Sequence, residues 1–177
     1  HMLTGDLGES ALLAKRGQLS EARLVAGTPI KVMLASPAAD GEAIQSKLGG
    51  SGAFWVEDKF DGIRAQLHVS EGEVSLFSRD QRSLGQEFPE IILAGIQLPD
   101  IVLDGEIIAY EEGRRLTFFD LQKRLGRKQQ HRGQGNLFHV QETPVRFLAF
   151  DLLRLGGEDL WAHSLSERRA VLESVAL

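Results

Sequence analysis

The stretch "VEDKFDGIRAQLHV", residues 56–69, decides how this chain is to be read. Side chains alternate across a strand, so Trp55, Glu57 and Lys59 share one face of a first run. In a second run Arg64, Gln66 and His68 share a face, with Ile63, Ala65, Leu67 and Val69 on the other. Asp61-Gly62 between the runs is a hairpin signal, and a two-residue loop there sets Lys59 opposite Arg64, Glu57 opposite Gln66 and Trp55 opposite His68. Two facing cations repel unless an anion lies between them, and a phosphate would resolve the conflict. The bland alternative is a solvated sheet face, on which lysine and arginine are ordinary. Asp58 falls on the apolar side in this register, which leaves a longer loop open.

Working outward, "AFWVEDK", "IRAQLHV" and "EVSLFSR" are short runs parted by Asp61-Gly62 and by Ser70-Glu71-Gly72, which predicts an antiparallel meander. "DIVLDGEIIAY" (100–110) offers two more strands around Asp104-Gly105, and "VRFLAFDLL" (145–153) a buried one. Helical spacing predicts one or two short helices over 6–26, interrupted at Gly17, and others over 39–48, 88–96, 117–126 and 164–175, the last capped by Ser164 or Ser166. Irregular alternation with hairpins favours an α+β fold, antiparallel sheets flanked by helices, over a doubly wound parallel sheet.

At 177 residues and 42% hydrophobic the chain can bury one good core. Its net charge of -5 argues against coating nucleic acid by bulk charge. A local exception is the basic cluster Arg114, Arg115, Lys123, Arg124, Arg127, Lys128 and Arg132, either a track for a phosphate backbone or a solvated helix face followed by a loop. The absence of cysteine excludes disulfides, thiolate metal sites and a cysteine nucleophile. The five histidines show no metal spacing. No apolar run approaches the roughly 20 residues needed to cross a bilayer, so a soluble, intracellular protein without a membrane partner is expected.

K-x-D-G-x-R, here Lys59 to Arg64, resembles the nucleotidyltransferase motif of ATP-dependent DNA ligases. An ordered set of further matches supports the likeness. "LFSRDQRSLGQEFPEI" resembles the second conserved box, with Ser78-Arg79 and Phe88-Pro89-Glu90; "VLDGEIIAY" resembles the box carrying Asp104-Gly105-Glu106, and "RFLAFDLL" the one carrying Phe150. "MLA" (33–35), "FFDLQKRLGRK" and "SLSERRAVLE" are smaller matches, and the resemblance spans about residue 29 onward. Gly85 departs from it, standing where the family usually has threonine.

The resemblance implies a nucleotidyltransferase (ATP-grasp-like ligase adenylation) domain over 28–177, ending before the family's later boxes. Residues 1–27 would be a helical leader, the tail of a preceding DNA-binding domain, packing poorly without it. Lys59 would attack the α-phosphate of ATP and keep AMP, which then passes to the 5′-phosphate of a nick in double-stranded DNA for sealing. Glu57 would read the adenine edge, Arg64 contact the ribose or a phosphate, Arg79 bind phosphate, Glu106 hold the ribose hydroxyl or the metal, and Phe150 stack on adenine. ATP and Mg²⁺ are the expected cofactors, with a monomer acting in DNA replication, repair and recombination in the cytoplasm or nucleus. RNA ligases and capping-type nucleotidyltransferases share the motif, and a non-catalytic DNA-binding module of the same fold is the reading from a different class.

Overall fold

β1 (Ile63–Ser70) follows the alternation of its sequence and is buried on both sides at its centre, residues 65–69. This computed structural model describes residues 4–49, 54–122, 125 and 143–175. β1 turns into β2 (Glu73–Ser78) through Glu71 and Gly72, whose φ values of 52° and 79° give the two-residue loop that closes Ser70 against Glu73. β3 (Ile101–Glu111) lies antiparallel on β1's other side, followed by β5 (Val145–Leu155) and the short β6 (Glu158–Asp159), in the order β2-β1-β3-β5-β6. β4 (Arg114–Arg115) folds back on the end of β3. The α+β architecture with antiparallel pairing is as expected.

One face of this sheet carries the core. Ala65, Leu67 and Val69 of β1 join Leu76, Ile101, Leu103, Ile107 and Leu152, closed by Phe88, Ile91 and Leu172. The last two come from α3 (Pro89–Gly95) and α5 (Leu165–Ser174). α3 opens on a proline, which suits a first helical turn, and α5 on a reciprocal capping box between Ser164 and Glu167. Ser164 is therefore the cap. α1 (Leu7–Arg16), a 3-10 turn (Leu19–Glu21) and α2 (Gly41–Leu48) fall within the expected helical stretches, and a helix designated α4 begins at residue 118, with 118–122 described.

Two strand expectations are corrected, both at an Asp-Gly pair. Residues 54–62 form no strand, so the hairpin at Asp61-Gly62 is absent, and Arg64 stands opposite Glu106 of β3 rather than Lys59. Gln66 and His68 likewise face Asp104 and Val102. Around Asp104-Gly105 the chain does not turn, because β3 runs through unbroken with a register shift against β5. In both places glycine serves close approach. A Cβ on Gly62 would meet the carbonyl oxygen of Ile107 at 2.1 Å, and one on Gly105 that of Leu148 at 2.5 Å.

Within the first 27 residues burial is uneven. α1 exposes Leu7 and Leu12, but Leu24 is fully buried, its N–H donating to Asp159 and its carbonyl accepting from Arg154. Ala22 and Leu24 are thus packed into the body.

Candidate functional site

The polar face of β1 organises the site. Arg64 forks onto Asp104 of β3, with Nε donating to Oδ1 at 3.1 Å and Nη2 to Oδ2 at 2.6 Å, while Nη1 donates to the Met33 carbonyl at 3.2 Å. Its guanidinium lies 5.4 Å from the ring centre of Phe150 on β5. Asp104 is 6% exposed, and burial pushes its carboxyl up while the Arg64 hydrogen bond and charge pull it back. That same bond is the main cause raising Arg64. The two directions oppose each other, and the bidentate distances favour an ionised pair.

Glu106 follows on the same face, two residues along. Its Oε1 accepts the Gly62 N–H at 3.1 Å. Burial pushes this carboxyl up, opposed first by the Gly62 hydrogen bond and then by the charges of Arg64 and Lys59. Lys59 therefore sits within electrostatic reach of Glu106. The lysine is exposed on the irregular run 54–62, where it lines an open cleft of about 810 Å³ together with Ala35, Trp55, Glu57, Phe150 and Arg169.

Arg169 is a residue that sequence reasoning missed. From α5 it pairs with Glu57, lies 5.8 Å from the Trp55 ring centre, and has a buried Nε without a hydrogen-bond partner. Its neighbour Arg168 instead holds Asp151 through Nε at 2.7 Å and Nη2 at 2.9 Å. Adjacent helical residues point about 100° apart, and the two arginines accordingly reach different partners, Asp151 and Glu57.

Of the six expected site residues, Glu57, Lys59 and Phe150 line the cleft, and Arg64 and Glu106 adjoin it through Phe150 and Lys59. Arg79 does not line it. It is exposed in the turn after β2, one residue past the Ala65–Ser78 pair and 3.9 Å from Asp80. Among the described residues no cluster of three or more histidine or acidic side chains is arranged to hold a metal. Asp104 is committed to Arg64 and Glu57 to Arg169, whereas Glu106 accepts from the Gly62 N–H through one oxygen and keeps the other available for one. Mg²⁺ fits such a site, because it binds through one or two carboxylates and takes its other oxygens from water and substrate phosphates. In the basic cluster Arg115 reaches Asp58 at 4.0 Å and the Phe60 ring at 5.5 Å, and Arg114 is exposed beside it. Lys123, Arg124, Arg127, Lys128 and Arg132 lie outside the described residues. An amine, an acid beside it and an aromatic ring around one cleft can bind a planar base and attack an electrophile next to it.

Comparison with known proteins gives the same direction. The family model described as ATP dependent DNA ligase domain matches residues 32–176. A probable DNA ligase of Koribacter versatilis is 39% identical over 99% of this chain and 29% of its own length. One of Opitutus terrae is 38% identical over 97% of the chain and 20% of its own length, and a DNA ligase of Methanothrix thermoacetophila 39% over 98% and 31%. The chain thus spans between a fifth and a third of these relatives. A solved structure of mycobacterial DNA ligase D complexed with ATP and MES superposes with a TM-score of 0.52 at 30% identity, covering 67% of this chain and 35% of that one. The ligase domain of M. tuberculosis LigD gives 0.52 at 29% identity with the same coverage. With the family model matched over most of its length, this chain belongs to the ATP-dependent DNA ligase domain family.

Proposed function

We propose that this chain carries the nucleotide-transfer site of a DNA ligase, with Lys59 as the residue that becomes covalently bound to AMP. The observation that carries the reading is that Lys59, Glu57 and Phe150 line one cleft, with Glu106 anchored on the Gly62 N–H inside Lys59's field. In the first step Lys59 Nζ bonds to the α-phosphorus of ATP as the bond from that phosphorus to the pyrophosphate oxygen breaks. The amine gives up a proton and pyrophosphate leaves. Phe150 offers its ring to the adenine, and Glu57, held by Arg169, faces the base edge. Three of the roughly five N–H donors of an arginine are used by Arg64 on Asp104 and Met33, which leaves the remainder for a ribose or phosphate oxygen. Glu106 holds the ribose hydroxyl or a Mg²⁺ ion. When bound, Mg²⁺ supplies neutralising charge to the phosphates. Arg79, at the same end of the sheet, is assigned to a phosphate.

AMP on Lys59 then passes to the 5′-phosphate of nicked double-stranded DNA, and the 3′-hydroxyl displaces it. The setting that fits is a monomer inside the cell, in DNA replication, repair and recombination. Among the described residues no helix is long and apolar enough to cross a membrane. Intact mass after incubation with ATP and Mg²⁺ tests the assignment. A gain of one AMP is expected, absent from Lys59→Ala. AMP retained by the alanine variant refutes Lys59 as nucleophile, and no gain even in a version extended to the relatives' length refutes the reading as a whole.

A further inference from the structure

Arg64, Gln66 and His68 of β1 all reach one segment of main chain. Arg64 Nη1 donates to the Met33 carbonyl at 3.2 Å. Gln66 takes both main-chain groups of Ile30, accepting its N–H on Oε1 at 3.1 Å and donating from Nε2 to its carbonyl at 2.6 Å. His68 Nδ1 accepts the Gly27 N–H at 3.1 Å. The contacts run in reverse order along the two segments, so 27–33 crosses β1 antiparallel without being a strand; residues 29–38 have no helix or strand of their own. A backbone in that condition needs hydrogen-bond partners from elsewhere, and β1 supplies them through side chains.

The orientation of Gln66 is determined. Because His68 Nδ1 accepts from Gly27, its proton sits on Nε2, which donates to Gln66 Oε1 at 3.3 Å. Rotating the carboxamide by half a turn would set N–H against N–H at both His68 and Ile30. Gln66 is 1% exposed, and a carboxamide buried that far is tolerated when its bonds are all made. Two residues beyond Met33 the segment reaches Ala35, which lines the cleft with Lys59.

We propose that Gln66 is a positioning residue for the nucleotide site, a clamp on Ile30 that fixes the strap 27–35 so that its Ala35 end forms one wall of the cleft. This rests on the nucleotide reading above. Gln66 touches no reacting atom and acts through the strap. If losing the clamp leaves the strap in place about a tenth of the time, the apparent Kd for ATP rises about tenfold.

The experiment uses this 177-residue chain, unmutated and as two variants. Gln66→Met keeps the length of the side chain and removes the amide, whereas Ile30→Pro removes the strap's donor from outside the sheet. The readouts are hydrogen exchange of 27–35 and the Kd for ATP. Both variants are expected to exchange the strap at least about tenfold faster, with β1 and β3 unchanged, and to bind ATP about tenfold more weakly. Faster strap exchange with an unchanged ATP Kd overturns the positioning role, reduces Gln66 to a fold-holding residue and leaves the nucleotide reading standing. Unchanged strap exchange in both variants overturns the clamp. If the unmutated chain does not bind ATP, the same variants are compared in a version extended to the relatives' length, and failure of that version to bind ATP overturns the nucleotide reading, and the positioning role with it. If Gln66→Met does not fold, Ile30→Pro decides on the same criteria.

Discussion

Arg64→Met separates the two things Arg64 does, because methionine covers much of the same apolar surface but cannot fork onto Asp104. The carboxylate left behind has a side chain 8% exposed. Removing one member of a buried pair costs about 3–5 kcal/mol. Arg64 is itself 27% exposed, so water can enter where it stood, and the expected loss is about 2–3 kcal/mol, or a fall in Tm of about 4–12 °C for a chain of this size. The pH dependence has a definite sign. Burial already pushes Asp104 up with Arg64 opposing it, so the variant raises the folded value further. A carboxyl raised in the folded state costs stability above that folded value and nothing below the unfolded one, so the deficit relative to the unmutated chain must shrink between pH 7 and about pH 4. Adding Asp104→Asn to Arg64→Met should return most of the loss, with a coupling of about 2 kcal/mol in the double-mutant cycle. Urea unfolding at both pH values, with slopes compared so that changes in the unfolded ensemble are recognised, is the assay. An Arg64→Met variant within about 0.5 kcal/mol of the unmutated chain at pH 7, or a deficit that grows on acidification, refutes the paired-carboxylate account.

Gly62→Ala should cost about 2–3 kcal/mol, since the new Cβ would lie 2.1 Å from the Ile107 carbonyl, which is backbone and cannot swing aside; an unchanged urea midpoint contradicts this. His68 is pushed by burial from 6.5 to about 4. Its contribution is complete above pH 6.5 and is lost as pH falls through 4, up to about 3 kcal/mol, so His68→Gln should flatten the acid limb of stability against pH, and identical limbs would exclude the effect. Ser164→Ala removes the α5 cap and should cost about 1 kcal/mol, read from thermal unfolding; no change would mean that the capping box adds nothing net.

The sequence carried the parts of the fold whose causes are local. Alternation in "IRAQLHVS" and the Ser164–Glu167 spacing each specify a structure within a few residues, and both β1 and the capping box follow. The Asp-Gly pairs misled because one dipeptide serves two physical needs. Gly72, at φ 79°, supplies the left-handed backbone that a tight loop demands. Gly62 and Gly105 are not among the residues with positive φ, and glycine is required there by carbonyls of other strands, Ile107 and Leu148, which no local pattern announces.

The same distinction explains the site. Alternation correctly put Arg64, Gln66 and His68 on one face, but that face is covered by residues 27–33, about thirty to forty positions earlier, so Gln66 and His68 are bonded to main chain and Arg64 divides its donors between Asp104 and the Met33 carbonyl. Glu57, Lys59 and Phe150 were named through a family resemblance and meet at one cleft; Arg169 lies inside the quoted stretch "SLSERRAVLE" but was given no role there, and was found from its pairing with Glu57. What was visible beforehand is that Gln66 and His68 interrupt an otherwise apolar strand centre. Since a buried amide or imidazole is stable where its hydrogen bonds are made, such an interruption predicts that some distant backbone must come to it, even when the sequence does not say which.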